Sequence, residues 1–448
     1  MMDTTRGSQR KCYEAVLASL ALCSVATENA SAAEFAYGAG YVAEHSTNIN
    51  RAPTNERSEW THSLIGGLAY HDIGPELAAN LMVQGQANYY QDNTFDDQTL
   101  YFVDAAAIWT ISPQLFTWTV EDHHTQALLN VRAADTPSNR VGANIFDTGP
   151  DLYLHFGGLN TLVLGGRYGQ LYFGDSDADN TRVSAYSRWL YDTNSTTTWS
   201  LNYEVLQVDF DHDTTANIDY TRTDTFLRLD MRPLPSHYTL DVGYTDIERD
   251  RGASVDGSLL RLTWTRQLTS DSHFGLSAAR EHGDAGTQLL ATVTDPMATS
   301  TPGTPNAEDI VTADVFYAKR LEMFYTYAGA DWGVNLQAFD RSFDYLVTPQ
   351  DRDEQGGRME LSHNPAGLST TTLFAEMQNA QYLNVTREDD DLTVGLRWRL
   401  RASRSISVAI EGSRVQRSST DPSVEYLDRR VLFGVYYSTG PSYSPARR

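Results

Sequence analysis

A period of two, sustained from Phe35 to the C-terminus of a 448-residue chain, is the feature that most restricts what this sequence can fold into. Segments of roughly 10 to 15 residues alternate apolar and polar side chains and are separated by turn-forming residues. Leu392, Val394, Leu396, Trp398 and Leu400 share one face, with Thr393, Gly395, Arg397 and Arg399 on the other. Ile406, Val408 and Ile410 alternate with Ser407, Ala409 and Glu411 in the same way. Tyr238, Leu240, Val242 and Tyr244 oppose Thr239, Asp241, Gly243 and Thr245, and Leu260, Leu262 and Trp264 oppose Arg261, Thr263 and Thr265. Successive side chains of a strand point to opposite faces, so each segment is a strand whose two sides meet different surroundings.

The connections alternate too. Short turns such as Gly74-Pro75-Glu76, Ser112-Pro113-Gln114, Pro233-Leu234-Pro235 and Ala402-Ser403-Arg404 take turns with longer, acidic ones. Short on one side and long on the other is the asymmetry of outer-membrane barrels, and an even strand number closes the wall and removes its unpaired edges. The sequence therefore predicts an all-β fold: a closed antiparallel transmembrane β-barrel of about twenty strands (18–22), with short periplasmic turns and longer acidic extracellular loops. It spans 34–438 and leaves a periplasmic tail at 439–448.

Residues that played no part in drawing the strands support this sidedness. Trp109, Trp118, Trp189, Trp199, Trp264, Trp332 and Trp398 all lie near short turns, which predicts a membrane-interface belt, since indoles favour that boundary; Trp60 alone lies near a long loop. The longer loops and their flanks at 91–98, 173–180, 209–219, 248–256, 281–309, 344–354, 388–391 and 421–428 carry 29 of the 55 carboxylates that follow residue 33. A soluble β-sandwich or β-helix is the competing architecture, but so many amphipathic strands would need a very large sandwich.

Residues 1–33 read as a cleaved signal peptide: Arg6, Arg10 and Lys11 form a basic start, Ala15 to Val25 an apolar stretch and Ala30-Ser31-Ala32 a small-residue cleavage site. Both cysteines, Cys12 and Cys23, fall within it, so no disulfide or thiol chemistry is expected of the remainder. A lipoprotein reading at Cys23 conflicts with bulky Leu22. No later stretch reaches the roughly 18 apolar residues that a spanning helix needs. The net charge of −24 argues against nucleic acid as a partner.

Enzyme signatures are scarce, and no catalytic residue, metal ligand or cofactor is assigned. Gly38-Ala-Gly-Tyr-Val-Ala43 imitates a dinucleotide fingerprint without the preceding strand and following helix that such a site requires. Asp122-His123-His124 suggests a hydrolytic pair at a barrel rim, or mere loop anchoring. Asp175-Ser-Asp177-Ala-Asp179 and Asp209-Phe-Asp211-His-Asp213 alternate oxygens like a calcium loop, yet lack its glycine and its last glutamate.

The polar faces say more. The channel-lining candidates are Arg228, Asp230, Asp241, Arg261, Arg320, Glu322, Arg358, Glu360, Glu376, Arg397, Arg399 and Glu411. Both signs alternate, which fits a structural ladder of cross-strand ion pairs and equally a wet surface for a hydrated sugar chain. Phe226, Phe316 and Phe339 share this parity and are candidate stacking surfaces. Segments 124–148 and 285–309 are long enough to fold inward and narrow the lumen. Lys319 breaks the pattern, sharing parity with Tyr317, Leu321 and Met323, so its strand carries a bulge or the lysine snorkels.

Phe116-Thr-Trp-Thr-Val-Glu-Asp122, Asp135-Thr-Pro-Ser-Asn-Arg140, Asn144-Ile-Phe-Asp-Thr-Gly-Pro150, Gly165-Gly-Arg-Tyr168, Val208-Asp-Phe-Asp211 and Gly243-Tyr-Thr-Asp-Ile247 together form a recognisable pattern. On these motifs the chain resembles the outer-membrane β-barrel family associated with PEP-CTERM/exosortase systems and exopolysaccharide gene clusters. The resemblance implies an integral barrel in a Gram-negative outer membrane, linked to making or exporting extracellular polysaccharide, and with the wet, mixed-charge lumen it leads to the expectation of a pore for exopolysaccharide export without catalysis. Its implied partners are outer-membrane lipid and lipopolysaccharide, an exopolysaccharide chain and periplasmic polysaccharide-export proteins. A general diffusion porin is the alternative, followed by an outer-membrane hydrolase or a structural scaffold.

Overall fold

In a computed structural model, residues 33–440 are described, apart from 175, 213, 215–216, 295–310 and 313. The signal-peptide reading and the last residues of the tail therefore lie outside the described part. Twenty strands follow in order: β1 (Glu34–Ser46), β2 (Glu59–Ile73), β3 (Leu77–Tyr90), β4 (Gln98–Ser112), β5 (Phe116–Leu128), β6 (Arg140–Phe156) and β7 (Asn160–Phe173). Then come β8 (Asn180–Asn194), β9 (Thr197–Phe210), β10 (Tyr220–Met231), β11 (Ser236–Arg249), β12 (Val255–Thr269) and β13 (Ser272–Gly283). A helix, α1 (Ala285–Thr294), precedes β14 (Phe316–Ala328), β15 (Trp332–Tyr345), β16 (Arg352–His363) and β17 (Ser369–Tyr382). β18 (Arg387–Arg401), β19 (Ile406–Ser419) and β20 (Tyr426–Ser438) complete the wall.

Each strand pairs antiparallel with the next, and β1 pairs with β20, for example Tyr41 with Val435. The sheet thus closes on itself as a 20-stranded barrel, with Gly38 to Ser46 of β1 laddered to Ser438 to Arg430 of β20. The nine connections at one end run from two residues (195–196) to five (364–368). The ten at the other run from four (383–386) to thirty-two (284–315), so the asymmetry holds in the aggregate while individual loops there are as tight as turns. Gly157 and Gly158, both at positive φ (61° and 76°), make the β6–β7 reversal, a backbone that a side chain would strain.

Alternation fixes which side faces out. Leu64, Leu201, Val242, Leu396 and Phe433 are exposed on the outer face, while their sequence neighbours Ile65, Ser200, Asn202 and Asp241 are buried on the inner one. An apolar surface repeated around the ring is suited to lipid contact. No helix among the described residues is long and apolar enough to cross a membrane; the strands are the candidates.

The acidic loops need one correction. Glu281 lies in β13, Asp353 and Glu354 in β16, and Glu388 to Asp391 in β18. Strands run further toward the loop end than the apolar alternation shows, because their inner positions continue as charged residues after their outer positions turn polar.

Candidate functional site: the barrel interior

The inner face carries a continuous chain of charge across five neighbouring strands. Arg228 on β10 donates Nε and Nη2 to Asp241 on β11 at 2.7 and 2.8 Å. Arg261 on β12 stands 3.7 Å from Asp241 and donates Nε to Glu281 on β13 at 2.6 Å. Arg320 on β14 reaches the other oxygen of Glu281 at 2.5 Å. Register causes this directly: Arg228 opposes Asp241, and Asp241 opposes Arg261. Side chains directly across a strand pair are close enough for charge-assisted bonds without distortion.

The remaining channel-lining candidates divide. Arg397 donates Nε to Glu411 at 2.6 Å, and Glu322 accepts from Arg341, which sequence reasoning did not single out. Arg358 turns along its own strand to Glu360 at 2.6 Å, leaving Glu376, its register partner, exposed. Asp230 is held near the turn end by Arg232 and His237 at 2.9 and 3.0 Å. Arg399 opposes Ala409 rather than a carboxylate. Glu281, Arg341 and the pairs Arg167–Asp151 (2.8 Å) and Arg188–Glu204 (3.1 Å) were missed, although their inward parity was a usable signal.

The aromatic rings inside are not open stacking surfaces. Phe226 is buried with Arg228 and Arg261 over its ring at 5.5 and 5.9 Å. Phe339 lies beneath Arg341 at 4.3 Å, and Phe316 is buried against Phe343. Phe226 and Phe339 each lie under a guanidinium, leaving its nitrogen donors as the surface presented, whereas Phe316 packs against other rings.

Two folded-in segments fill the loop end. The segment 129–139 reaches across the barrel from β5 to the opposite wall, where Val131 packs with Phe316, Phe343, Ala380 and Tyr382. Tyr382 Oη donates to the Val131 carbonyl at 3.1 Å, Arg387 Nη2 to the Arg132 carbonyl at 2.7 Å, and Arg132 Nη2 to the Pro349 carbonyl. Asp135 is clamped by Arg140 at 2.6 Å and by Arg51 at 3.7 Å. Burial alone would raise its pKa, but these two guanidinium groups hold it down at about 2.

Helix α1 leaves β13 and packs Ala285 and Leu289 on Ala127, Ala143, Ile145, Leu171 and Phe173, the inner faces of β5, β6 and β7. Asp284 caps it, accepting from the amides of Gly286 and Thr287 at 2.9 and 3.1 Å, and it also bonds Arg182. Arg182 approaches so closely that a Cβ on Gly286 would lie 2.4 Å from its guanidinium carbon. Burial opposes ionisation of Asp284, yet Arg182 and Thr287 keep its pKa well below the carboxylate range.

Of the inward segments expected, 124–148 is thus shortened: β5 continues to Leu128 and β6 starts at Arg140 because both keep their ladder pairing. Of 285–309, α1 folds in, and 295–309 lies outside the described residues. The result is an interior of two halves. Near the loops the charges are dry, as in Arg352–Glu354 at 2.5 Å with neither side chain reaching solvent. Toward the turns they are wetter, with Arg228 at 37% and Arg232 at 70% exposure.

The Asp122-His123-His124 run does not assemble into one constellation. His123 faces inward to Asp104 at 3.1 Å, whereas Asp122 lies on the opposite face and accepts from Asn144 at 3.0 Å. No group of three metal-ligating side chains occurs among the described residues, and Asp175 and Asp213 of the calcium-like runs lie outside them.

The tryptophans cluster toward the turn end. Trp109 and Trp118 are register partners, and both are exposed, as are Trp189, Trp199 and Trp332. Trp264 stacks on Tyr238 at 5.9 Å and is half-buried, as is Trp398.

No known protein family matches the sequence, and no curated protein does. Among solved structures, the chain is similar to a ferric enterobactin receptor mutant (PfeA) from Pseudomonas aeruginosa, at 9% identity and a TM-score of 0.48, covering 92% of this chain and 82% of that one. It is also similar to OccK2 (OpdF) from Pseudomonas aeruginosa in complex with glucuronate, at 9% identity and a TM-score of 0.40, covering 91% and 98%. A third is the FrpB iron transporter from Neisseria meningitidis, at 9% identity and a TM-score of 0.45, covering 90% and 82%. Such values establish no kinship.

Proposed function

We propose that this protein is an outer-membrane pore through which an exopolysaccharide chain leaves the cell, without catalysis. The observation that carries the reading is the inner-wall chain Arg228–Asp241–Arg261–Glu281–Arg320, in which three guanidinium groups share two carboxylates and every cation adjoins an anion. A wall of paired charges offers hydrogen-bond donors and acceptors to sugar hydroxyls while leaving little net field to trap them. Passage requires contacts that favour entry yet release readily, and paired groups meet that condition better than isolated ones.

The folded-in segment 129–139 and α1 narrow the loop end, so in this reading they move aside for a threading chain, with periplasmic export proteins feeding the turn end. Deleting the gene should lower surface polysaccharide and leave uptake of small sugars unchanged. Normal polysaccharide with reduced small-solute uptake would instead make the protein a general diffusion porin.

A further inference from the structure

Four cations on the outer face stand in two directly opposed pairs. Arg280 and Lys319 are register partners across β13 and β14, and Arg414 and Arg429 across β19 and β20. Parity puts them outside: Lys319 alternates in step with exposed Leu321 and Met323, Arg414 with exposed Ile410, and Arg429 with exposed Val431 and Phe433. All four are themselves exposed. The register of β14 is continuous with both neighbours, so Lys319 has no bulge behind it and projects outward over the Tyr317 ring at 5.6 Å.

Like charges directly opposite one another destabilise a strand pair unless something neutralises them. Among the described residues no ion pair reaches Arg414 or Arg429, and Arg414 donates only to Gln416 at 2.6 Å. Arg280 bonds the Tyr317 hydroxyl, and among the described residues two outer-face carboxylates flank Lys319: Asp344, 4.0 Å away with both side chains about half exposed, and Asp340, which opposes Leu321 one diagonal step from Lys319. In a chain of net charge −24, Arg414–Arg429 stands out as a pair that no carboxylate neutralises among the described residues, and Arg280–Lys319 as one that is only partly offset.

Their height is informative. Arg280, Lys319 and Arg429 each lie three residues in from the loop end of their strands, and Arg414 five. At ~3.3 Å per residue that is roughly 10 Å or more along the strand. Toward the turns the outer face is largely apolar, with Leu276, Leu321 and Met323 below one pair, where Asp340 opposite Leu321 is the exception, and Ile410, Val431 and Phe433 below the other. Toward the loops it becomes polar, with Tyr317, Asp344, Gln416 and Ser418. Both pairs sit at that seam, where the head-group phosphates of a lipid leaflet lie.

We propose that the Arg280–Lys319 and Arg414–Arg429 pairs are binding sites for the phosphate groups of lipopolysaccharide. Two apposed cations match a phosphomonoester of lipid A, which carries about −1.5 to −2, better than the single charge of a phospholipid phosphodiester. The inference rests on the outer-membrane placement proposed above, with the loops outermost, and not on what passes through the pore.

The test is native mass spectrometry of the whole chain with diphosphorylated lipid A, dephosphorylated lipid A and phosphatidylglycerol. Diphosphorylated lipid A should bind best and at two sites, and R280Q/K319Q or R414Q/R429Q should each weaken one of the two about tenfold and leave the other in place. The charge-keeping R280K/K319R should retain it, which separates lost charge from lost fold. Equal binding by the glutamine variants, equal binding of dephosphorylated lipid A, or a preference for phosphatidylglycerol would overturn the proposal. Conductance in phospholipid-only bilayers should be the same for all variants; a silent protein that still binds lipid A selectively would sink the pore reading and leave this one standing.

Discussion

Asp241 is the carboxylate on which two arginines from opposite neighbouring strands converge: Arg228 holds both its oxygens at 2.7 and 2.8 Å, and Arg261 stands 3.7 Å away. Asp241 is nearly fully buried, while both arginines keep about a third of their surface in contact with solvent. The anion is therefore structural and the cations face the lumen. Without it, two guanidinium groups on β10 and β12 would repel across β11.

Asp241→Asn should lower the barrel's unfolding stability by about 1.5–3 kcal/mol, the usual worth of hydrogen bonds to a charged group. It should also shift ion selectivity toward anions, because Arg228 loses its counter-charge and Arg261 is left with Glu281, which it shares with Arg320. Denaturant melting and reversal potentials in planar bilayers check the two effects; unchanged selectivity would mean that these arginines do not line the conducting path.

Val131 anchors the folded-in segment 129–139 to the far wall through contacts with Phe316, Phe343 and Tyr382. Val131→Asp puts a charge among those rings and should free the segment, raising single-channel conductance while strand content stays constant. Tyr382→Phe removes only the bond to the Val131 carbonyl and should give a smaller rise, in line with the ~1 kcal/mol of one hydrogen bond. Circular dichroism beside the conductance trace separates opening from unfolding, and equal conductance in all three proteins would place the constriction elsewhere.

The wall was readable because period two is a direct consequence of strand geometry: Leu392 to Leu400 and Tyr238 to Tyr244 alternate as their faces require. Register made the Arg228–Asp241–Arg261 sequence of contacts readable as well. Arg358 was less tractable, since choosing Glu360 along the strand over Glu376 across it depends on side-chain torsion and not on parity. The inward path of 129–139 was legible only in the length of 124–148, and not in the contacts that fix it. It is fixed by Tyr382 and Arg387, some 250 residues further along the chain, whose bonds to the Val131 and Arg132 carbonyls only closure of the barrel brings about.

Acid should release both folded-in segments. Asp135 has a folded-state pKa of about 2, below its ordinary value, and Asp284 is also lowered, so each contributes stability that is fully present above about pH 4. That contribution falls away as pH drops from about 4 toward 2, because protonation cancels the attraction to Arg140, Arg51 and Arg182. Limited proteolysis at 129–139 should stay slow from pH 7 to 5 and accelerate below pH 4 with an acid-active protease. Asp135→Asn should give the fast pattern already at pH 7, and a pH-independent rate in the unaltered protein would show that the clamp does not hold the segment.

Arg397 and Glu411 allow a test in which charge order changes and charge total does not. Their 2.6 Å bond joins β18 to β19 on the inner face, each side chain is 19% exposed, and Arg397 lies over Phe374 at 5.3 Å. Arg397→Glu alone sets two carboxylates opposite each other and should cost stability as well as transport. Adding Glu411→Arg restores the pair in reverse order and should recover stability to within about 1 kcal/mol, the scale of an ion pair that keeps some contact with solvent. If the lumen wall serves an exopolysaccharide mainly through paired donors and acceptors, the exchanged protein should also recover most polysaccharide export in deletion cells. Recovered stability with export still lost would mean that the position of the Arg397 guanidinium over Phe374, and not the pairing of charges, is what the passing chain meets.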